Sequence, residues 1–267
     1  MLTVLPLLPG DVPLLGSIQP EGWDDIRPSM EFFSALRFCC PVKVMIDVSF
    51  VGLGTTIRHQ DVAWLAHIIV HQDYRNRGIG RFITETLIDS LAGTGVETIY
   101  LTASAMGEPV YVKLGFMIET EYLFFKEIDI EKRLLQPENI EPYKASYRKR
   151  VIGIDRENSG EDRIVHLEIH FPDALVYREN SRVDGCYLPT LGNGLISAAT
   201  ENAGLALLHR HLQTNLRVCF PKENTAATRF LYDHGFREFQ AAKRMRLGKA
   251  RKTNLANIYN RIGGNLG

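Results

Sequence analysis

The chain alternates between two hydrophobic rhythms. Residues 28–38, "PSMEFFSALRF", place apolar side chains at helical spacing, and 42–57, "VKVMIDVSFVGLGTTI", form two β-rich runs that meet near Asp47–Ser49, which predicts a hairpin. Residues 62–70, "VAWLAHIIV", are almost continuously apolar, as a strand buried on both faces requires. From Gly78 to Ala92, Ile79, Phe82, Ile83, Leu87 and Leu91 recur at three and four residues, one face of a helix that Gly93 and Gly95 stop. A strand is predicted at 97–103, "ETIYLTA". A short helix follows in 107–116, "GEPVYVKLGF", with Pro109 in its first turn and Gly115 at its close, and then a strand over 117–128.

Residues 131–144 are polar and hold two prolines, so a linker is expected there, between domains at 1–130 and 145–267. In the second half "ENSGED" reads as a turn or helix start and "EDRIVHLEIH" as a helix. Short strands broken by Gly, Pro and Asn-Gly follow. "NAGLALLHRHL" reads as a helix, "LRVCFP" as a strand, "NTAATRFLYDHGF" as a helix with a glycine stop, and "QAAKRMRLG" as a last strand. The order helix, strand, helix, Gly-Phe, strand therefore occurs twice, ending at Gly115-Phe116 and again at Gly235-Phe236. The expectation is one α+β unit used twice.

Charge changes this picture only locally. Lys+Arg and Asp+Glu both number 31 in the 267 residues, so no overall field draws the chain to nucleic acid or to an anionic membrane. The basic runs 147–150 and 243–252 read as solvated faces. No apolar run approaches the roughly 20 residues that cross a bilayer. The apolar start "MLTVLPLLPGDVPLL" has no basic leading region and is broken by prolines and an Asp, so it does not read as a signal peptide. Cys39, Cys40, Cys186 and Cys219 have no CxxC spacing, and His209 and His211, two apart on a helix, do not face one another. Free thiols, a cytoplasmic setting and no metal are expected.

The densest positive charge stands at "HQDYRNRGIGRF", residues 71–82. A helix start there offers unpaired N–H groups and the positive end of the helix dipole. Gly78 and Gly80 allow a ligand close to the backbone, and Arg75, Arg77 and Arg81 add charge-assisted donors. Together these read as a site for a diphosphate. The dinucleotide pattern GxGxxG fails because residue 83 is Ile, and no Gly-Lys-Ser/Thr follows to make a P-loop.

Arg75-Asn76-Arg77-Gly78-Ile79-Gly80 fits the Gln/Arg-x-x-Gly-x-Gly/Ala loop of the GNAT superfamily of N-acetyltransferases, and Tyr111-Val112-Lys113-Leu114-Gly115-Phe116 fits its Tyr-x-x-x-Gly-Phe. Over roughly residues 1–127 the chain resembles that superfamily. The resemblance implies two tandem GNAT-like units, each a mixed twisted sheet flanked by helices, and acetyl-CoA as the co-substrate. It assigns the diphosphate to Arg75, Asn76, Arg77, Gly78, Ile79, Gly80 and Arg81, and the pantetheine arm to the backbone of Ile68, Ile69 and Val70, where the strand splays from its neighbour. It makes Tyr111 the proton donor to the departing thiolate. A phenol, with a reference pKa of about 10, is close enough to a thiol for that role. The implied activity is acetyl transfer to a primary amine of a small molecule or peptide by direct attack in a ternary complex. The alternative is an acetyl-CoA or CoA sensor without turnover.

Departures from the pattern bear on the chemistry. Many members carry a Glu eleven residues before the loop's first Gln/Arg, and Trp64 stands there. A direct carboxylate base is thereby in doubt. Asp61, His59, ordered water or no dedicated base remain open, and strand alternation sends the side chain of His67 to the face opposite Trp64, as a core histidine. Ser104 and Gly107 stand where Asn and Ala are frequent, and the Ser104 hydroxyl is expected to reach the cofactor. Trp23, in "EGWDD", and Trp64 are expected to form an aromatic wall for the acceptor. In the second copy Glu201 replaces the loop's arginine and Leu231 its tyrosine, while Asn224 and Ala227 are kept. That half is expected to have lost the site and to buttress the cleft or mediate association, a homo-oligomer included.

Overall fold

The computed structural model describes residues 1–23, 25–127 and 138–267. It divides into two compact units, Met1–Met117 with Met245–Lys249, and Ile118–Arg244 with Ala250–Gly267. The linker expected over 131–144 lies outside the described residues as far as 137.

The first unit opens with β1 (Leu2–Pro6) and a 3-10 segment, Pro9–Ser17, both unread in the sequence. α1 (Arg27–Ser34), β2 (Cys39–Ile46), β3 (Ser49–His59), β4 (Val62–Val70), α2 (Ile79–Asp89), β5 (Thr98–Ala103) and α3 (Glu108–Lys113) follow where the hydrophobic rhythm predicts them. β1 to β4 form an antiparallel meander, and β5 joins β4 in parallel after the α2 crossover. Lys249 N donates to Glu97 O and Thr98 Oγ1 to Lys249 O, which attaches Met245–Lys249 beside β5. One face of the sheet packs on α2 and α3 through Val44, Val51, Ala63, Leu65, Ile83 and Leu101. A Cβ on Gly54 would meet Ile83 at 2.6 Å and Leu87 at 2.9 Å, so the glycine lets α2 lie directly on β3.

The second unit holds β6 (Met117–Glu127) from Ile118 onward, β7 (Ile140–Pro142), α4 (Arg148–Ser159), α5 (Ile164–Leu167), β8 (Leu175–Glu179), β9 (Arg182–Leu188), β10 (Leu195–Ala198), α6 (Glu201–Leu212), β11 (Arg217–Pro221), α7 (Thr225–Asp233), β12 (Phe236–Gly248) as far as Arg244, and β13 (Ile258–Asn260). The order α2, β5, α3, Gly115-Phe116, β6 is repeated as α6, β11, α7, Gly235-Phe236, β12.

Two sequence readings are corrected. Residues 148–159 are a helix, not the approach to a turn, and Gly160 ends it at φ 73°. Its buried side includes the polar Asp155, Asn158 and Ser159, so hydrophobic periodicity is silent there. The helix expected in "EDRIVHLEIH" is one α-helical turn followed by a 3-10 segment, Glu168–Asp173, with Pro172 inside it. Asp155 makes a buried bidentate pair with Arg163, Nη2 to Oδ1 at 2.5 Å and Nε to Oδ2 at 3.2 Å.

Candidate active site

β4 and β5 pair from Val62↔Thr98 to Leu65↔Leu101 and then part, although β4 runs on to Val70. The cause lies in β4 itself. Against β3, Thr55 faces Ala66 but Leu53 faces Ile69, so β4 holds one extra residue. His67 occupies this bulge with φ 50°, a conformation that costs a non-glycine residue about 1–3 kcal/mol and is retained where function needs it.

The bulge resets which face each side chain meets. Thr55 Oγ1 lies 3.7 Å from Met30 Sδ, so Thr55 and its partner Ala66 face α1. Trp64, two residues earlier, shares that face. Beyond the bulge Ile68 and Val70 pack with Ala63 and Leu65 on the α2 side, while the His67 ring lies 5.8 Å from the Phe33 ring of α1. The sequence expectation that His67 faces away from Trp64 is therefore reversed, because the extra residue breaks the alternation. Burial lowers the His67 pKa to about 4, and Nδ1 is buried with no hydrogen-bond partner among the described residues.

Of the three residues assigned to the pantetheine arm, two turn their backbone toward the open side. His71 N donates to Val51 O at 2.9 Å, and alternation then directs Ile69 toward β3 and Ile68 and Val70 away from it. Arg75 Nε donates to Val70 O at 3.2 Å, tying the loop to the end of β4.

The loop has the form of an anion cradle. Asn76 and Gly78 have φ of 61° and 81°, an alternation that turns successive N–H groups to one side. A Cβ on Gly78 would meet nothing within 4 Å, so the position is open to a ligand. Phe82 N, the first amide of α2 able to reach back a full turn, donates to Gly78 O at 3.0 Å. Those of Ile79, Gly80 and Arg81 have no carbonyl behind them. The Ile79 side chain is core, so only its amide can serve a ligand. Arg77 lies 5.3 Å above the Tyr74 ring, and Arg81 pairs with Glu85 at 2.9 Å on the surface, a contact of small energy. These residues fit a diphosphate.

Tyr111 is buried on α3, its ring edge-on to Phe116 at 6.0 Å. Desolvation pushes its pKa up to about 12, which keeps the phenol protonated. Ser104 Oγ accepts from Gly107 N at 3.2 Å, so the hydroxyl expected on the cofactor caps the turn before α3. The two tryptophans are apart in role. Trp64 has no exposed surface and lies 5.2 Å from the Tyr100 ring, so it is core rather than a wall of the acceptor site, because its face of β4 is covered. Trp23 is 52% exposed and lines an open depression of about 390 Å³ with Gly16, Gln19, Asp25 and Arg27. Asp61 and His59, the latter opposite Val62, stand at the entry of β4, roughly 16–20 Å along the strand from the bulge.

The second unit shows the same groove closed. β10, α6, β11 and α7 take the places of β4, α2, β5 and α3. Between β10 and β11 lies β13, which no sequence reading assigned. It pairs with β10 at Ile196↔Asn260, and Cys219 of β11 donates its N–H to Asn260 Oδ1 at 3.0 Å and accepts from Arg261 N at 2.8 Å. Asn224 Nδ2 holds Ile258 O at 3.1 Å. The Tyr259 ring lies on Gly204, where a Cβ would come within 2.0 Å of it. Thr200 Oγ1 accepts from Ala203 N at the start of α6, and Glu201 brings a negative charge there. The short apolar run "NIYNRI" was the available signal for β13, but nothing local to it indicates a groove.

A splayed strand pair, a bulge and a glycine-led helix start define a two-unit α+β protein with an anion cradle in its first unit. The chain matches the acetyltransferase (GNAT) family over residues 14–116. It is 35% identical over 78 residues to the [Ribosomal protein bS18]-alanine N-acetyltransferase of Salmonella typhimurium, a match over 28% of this chain and 53% of that enzyme, so the chain spans about half the length of this curated relative. Among solved structures, an acetyltransferase candidate from Pyrococcus horikoshii shares the fold with TM-score 0.83 at 21% identity, over 100% of this chain and 96% of that one. A tandem GNAT protein of the clavulanic acid biosynthesis pathway does so with TM-score 0.59 at 12% identity, over 93% and 98%.

Proposed function

We propose that the first unit moves an acetyl group from acetyl-CoA to a primary amine by direct attack in a ternary complex. The observation that carries this reading is the parting of β4 from β5 after Leu65↔Leu101, beside the open start of α2. Acetyl-CoA supplies an activated thioester when bound. The backbone of Ile68 and Val70 pairs with its amide arm. The free amides of Ile79, Gly80 and Arg81, with the guanidinium of Arg75, hold its diphosphate. A strand N–H at the splay donates to the carbonyl oxygen as charge develops there. Tyr111, kept protonated by burial, is the proton donor to the sulfur.

The acceptor enters from the side of Trp23 and α1. The alanine amine named for the Salmonella relative makes an alanine-initiated peptide the first acceptor to try. The second unit serves as a structural partner with its own groove filled by β13. Four free thiols and the use of acetyl-CoA fit a cytoplasmic setting; among the described residues no helix is long and apolar enough to cross a membrane.

The test is release of CoA thiol with acetyl-CoA and a panel of amines, alongside calorimetry. Turnover of one amine that is lost in Tyr111→Phe supports the reading. Tight binding with no turnover on any amine would replace it by the sensor. No binding at all would end both.

A further inference from the structure

We propose that His67 is the proton acceptor of this reaction, taking at Nδ1 the proton that the amine nitrogen sheds as it attacks the thioester carbonyl. The inference rests on the acetyl-transfer reading and fills the role for which β4 has no carboxylate.

Three observations converge on this side chain. His67 stands in the bulge, two residues past the last β4–β5 pair, where the strands have just parted. Its ring faces α1, 5.8 Å from Phe33, whereas the cradle belongs to α2 on the other face of the sheet. α1 begins at Arg27, which lines the open depression with Trp23. An amine arriving from the α1 side and a carrier seated over α2 thus meet at the splay from opposite faces, with the imidazole on the amine's side. Finally, Nδ1 is buried without a partner among the described residues.

The tautomer follows from that last fact. A neutral imidazole has one N–H and one lone pair, and an orphaned buried N–H is rarer than an orphaned acceptor. The proton therefore sits on Nε2, and Nδ1 presents a bare lone pair. The amine N–H is the donor it lacks.

The surroundings leave the lone pair free for this. From α1 come Arg27, paired with Asp25 at 2.7 Å, and Glu31, both exposed. β3 opposite the bulge offers Gly54 and Thr55, and β5 beyond its last pair offers Thr102 and Ala103, none of them ionisable. Burial keeps the ring neutral well below pH 7. A weak base suffices, since the nitrogen becomes strongly acidic once it is bonded to the carbonyl carbon.

The step balances. The amine lone pair forms the C–N bond, and the C–S bond breaks with its electron pair on sulfur. The amine proton goes to Nδ1 and the Tyr111 proton to sulfur. The imidazolium then loses a proton to solvent and the tyrosinate regains one, leaving amide and free CoA thiol.

The test uses the full chain with acetyl-CoA and an alanine-initiated peptide, comparing wild type with His67→Gln, which keeps the side chain polar but not basic. The expected result is a fall of at least tenfold in kcat/KM for the amine at pH 7. The additional downturn of wild-type kcat/KM near pH 4 should vanish, leaving only the limb set by the peptide's own α-amino group at about 8, and acetyl-CoA affinity should stay within twofold. Wild-type kcat/KM with the downturn near pH 4 intact in His67→Gln would overturn the proposal. If wild type turns over no amine, the acetyl-transfer reading has failed separately, and ¹⁵N spectra of the wild-type acetyl-CoA complex decide the role of His67. An unprotonated Nδ1 whose shift moves on adding butylamine supports it; an Nδ1–H signal, or no response, overturns it.

Discussion

Tyr111 lies over Gly107 so closely that a Cβ on the glycine would come within 2.8 Å of Cε2 and 3.2 Å of the hydroxyl oxygen. Alanine, frequent at this position in the superfamily, would push the ring aside here. The clash is with a ring packed in the core, so Gly107→Ala should also cost about 1 kcal/mol of stability. A shift of about 1 Å in a reacting group can nevertheless cost as much as 10²-fold in rate. We expect kcat for acetyl transfer to fall roughly tenfold or more, with acetyl-CoA affinity within twofold of wild type. Initial rates and calorimetry check both.

Arg75 binds Val70 O through Nε and leaves the rest of its guanidinium for the ligand. Arg75→Glu removes both contacts and places a negative charge beside the cradle, so affinity for CoA should weaken by roughly tenfold or more. Unchanged affinity would mean that the diphosphate binds elsewhere. The reverse change in the second unit, Glu201→Arg, should create no CoA binding, because β13 and Tyr259 occupy that groove.

Gly204 is the seat of Tyr259. With 2.0 Å between an added Cβ and the ring, Gly204→Ala forces Tyr259 to move within a packed core. Such overpacking costs about 1–3 kcal/mol, which lowers Tm by several degrees in a chain of this size. Thermal unfolding of the variant reads this directly; a Tm equal to wild type would mean that β13 is not held in the groove.

His67 makes stability depend on pH. Its folded pKa of about 4 lies below the ordinary 6.5, so between these values the unfolded chain binds a proton that the folded chain does not. This contribution is complete above pH 6.5, is lost as the pH falls toward 4, and is constant below that. Its size is on the order of 3 kcal/mol. In His67→Gln the urea midpoint should change less between pH 7 and pH 4.5 than it does in wild type.

Where the local pattern was unmixed, the residues alone told the fold. α2 follows from Ile79, Ile83 and Leu87 on one face, β4 from its apolar run, and the tandem order from two Gly-Phe stops. The open start of α2 was legible too, since glycines just before a helix mark it locally. α4 was not, because its buried side carries Asp155, Asn158 and Ser159, polar residues satisfied by Arg163 beyond the helix and by Ser197 on β10.

By itself the sequence determined the run from α1 to α3 in the first unit, the repeated helix–strand–helix order in the second, and the charge asymmetry between the two helix starts, all of which depend on residues within a few positions of each other. Tertiary structure alone decided three things: the bulge that turns His67 toward α1, the core place of Trp64, and the insertion of β13 between β10 and β11. Each depends on register or on packing between strands far apart in the chain. One extra residue in a strand reverses every side chain after it, and local spacing carries no record of which partner strand will impose it.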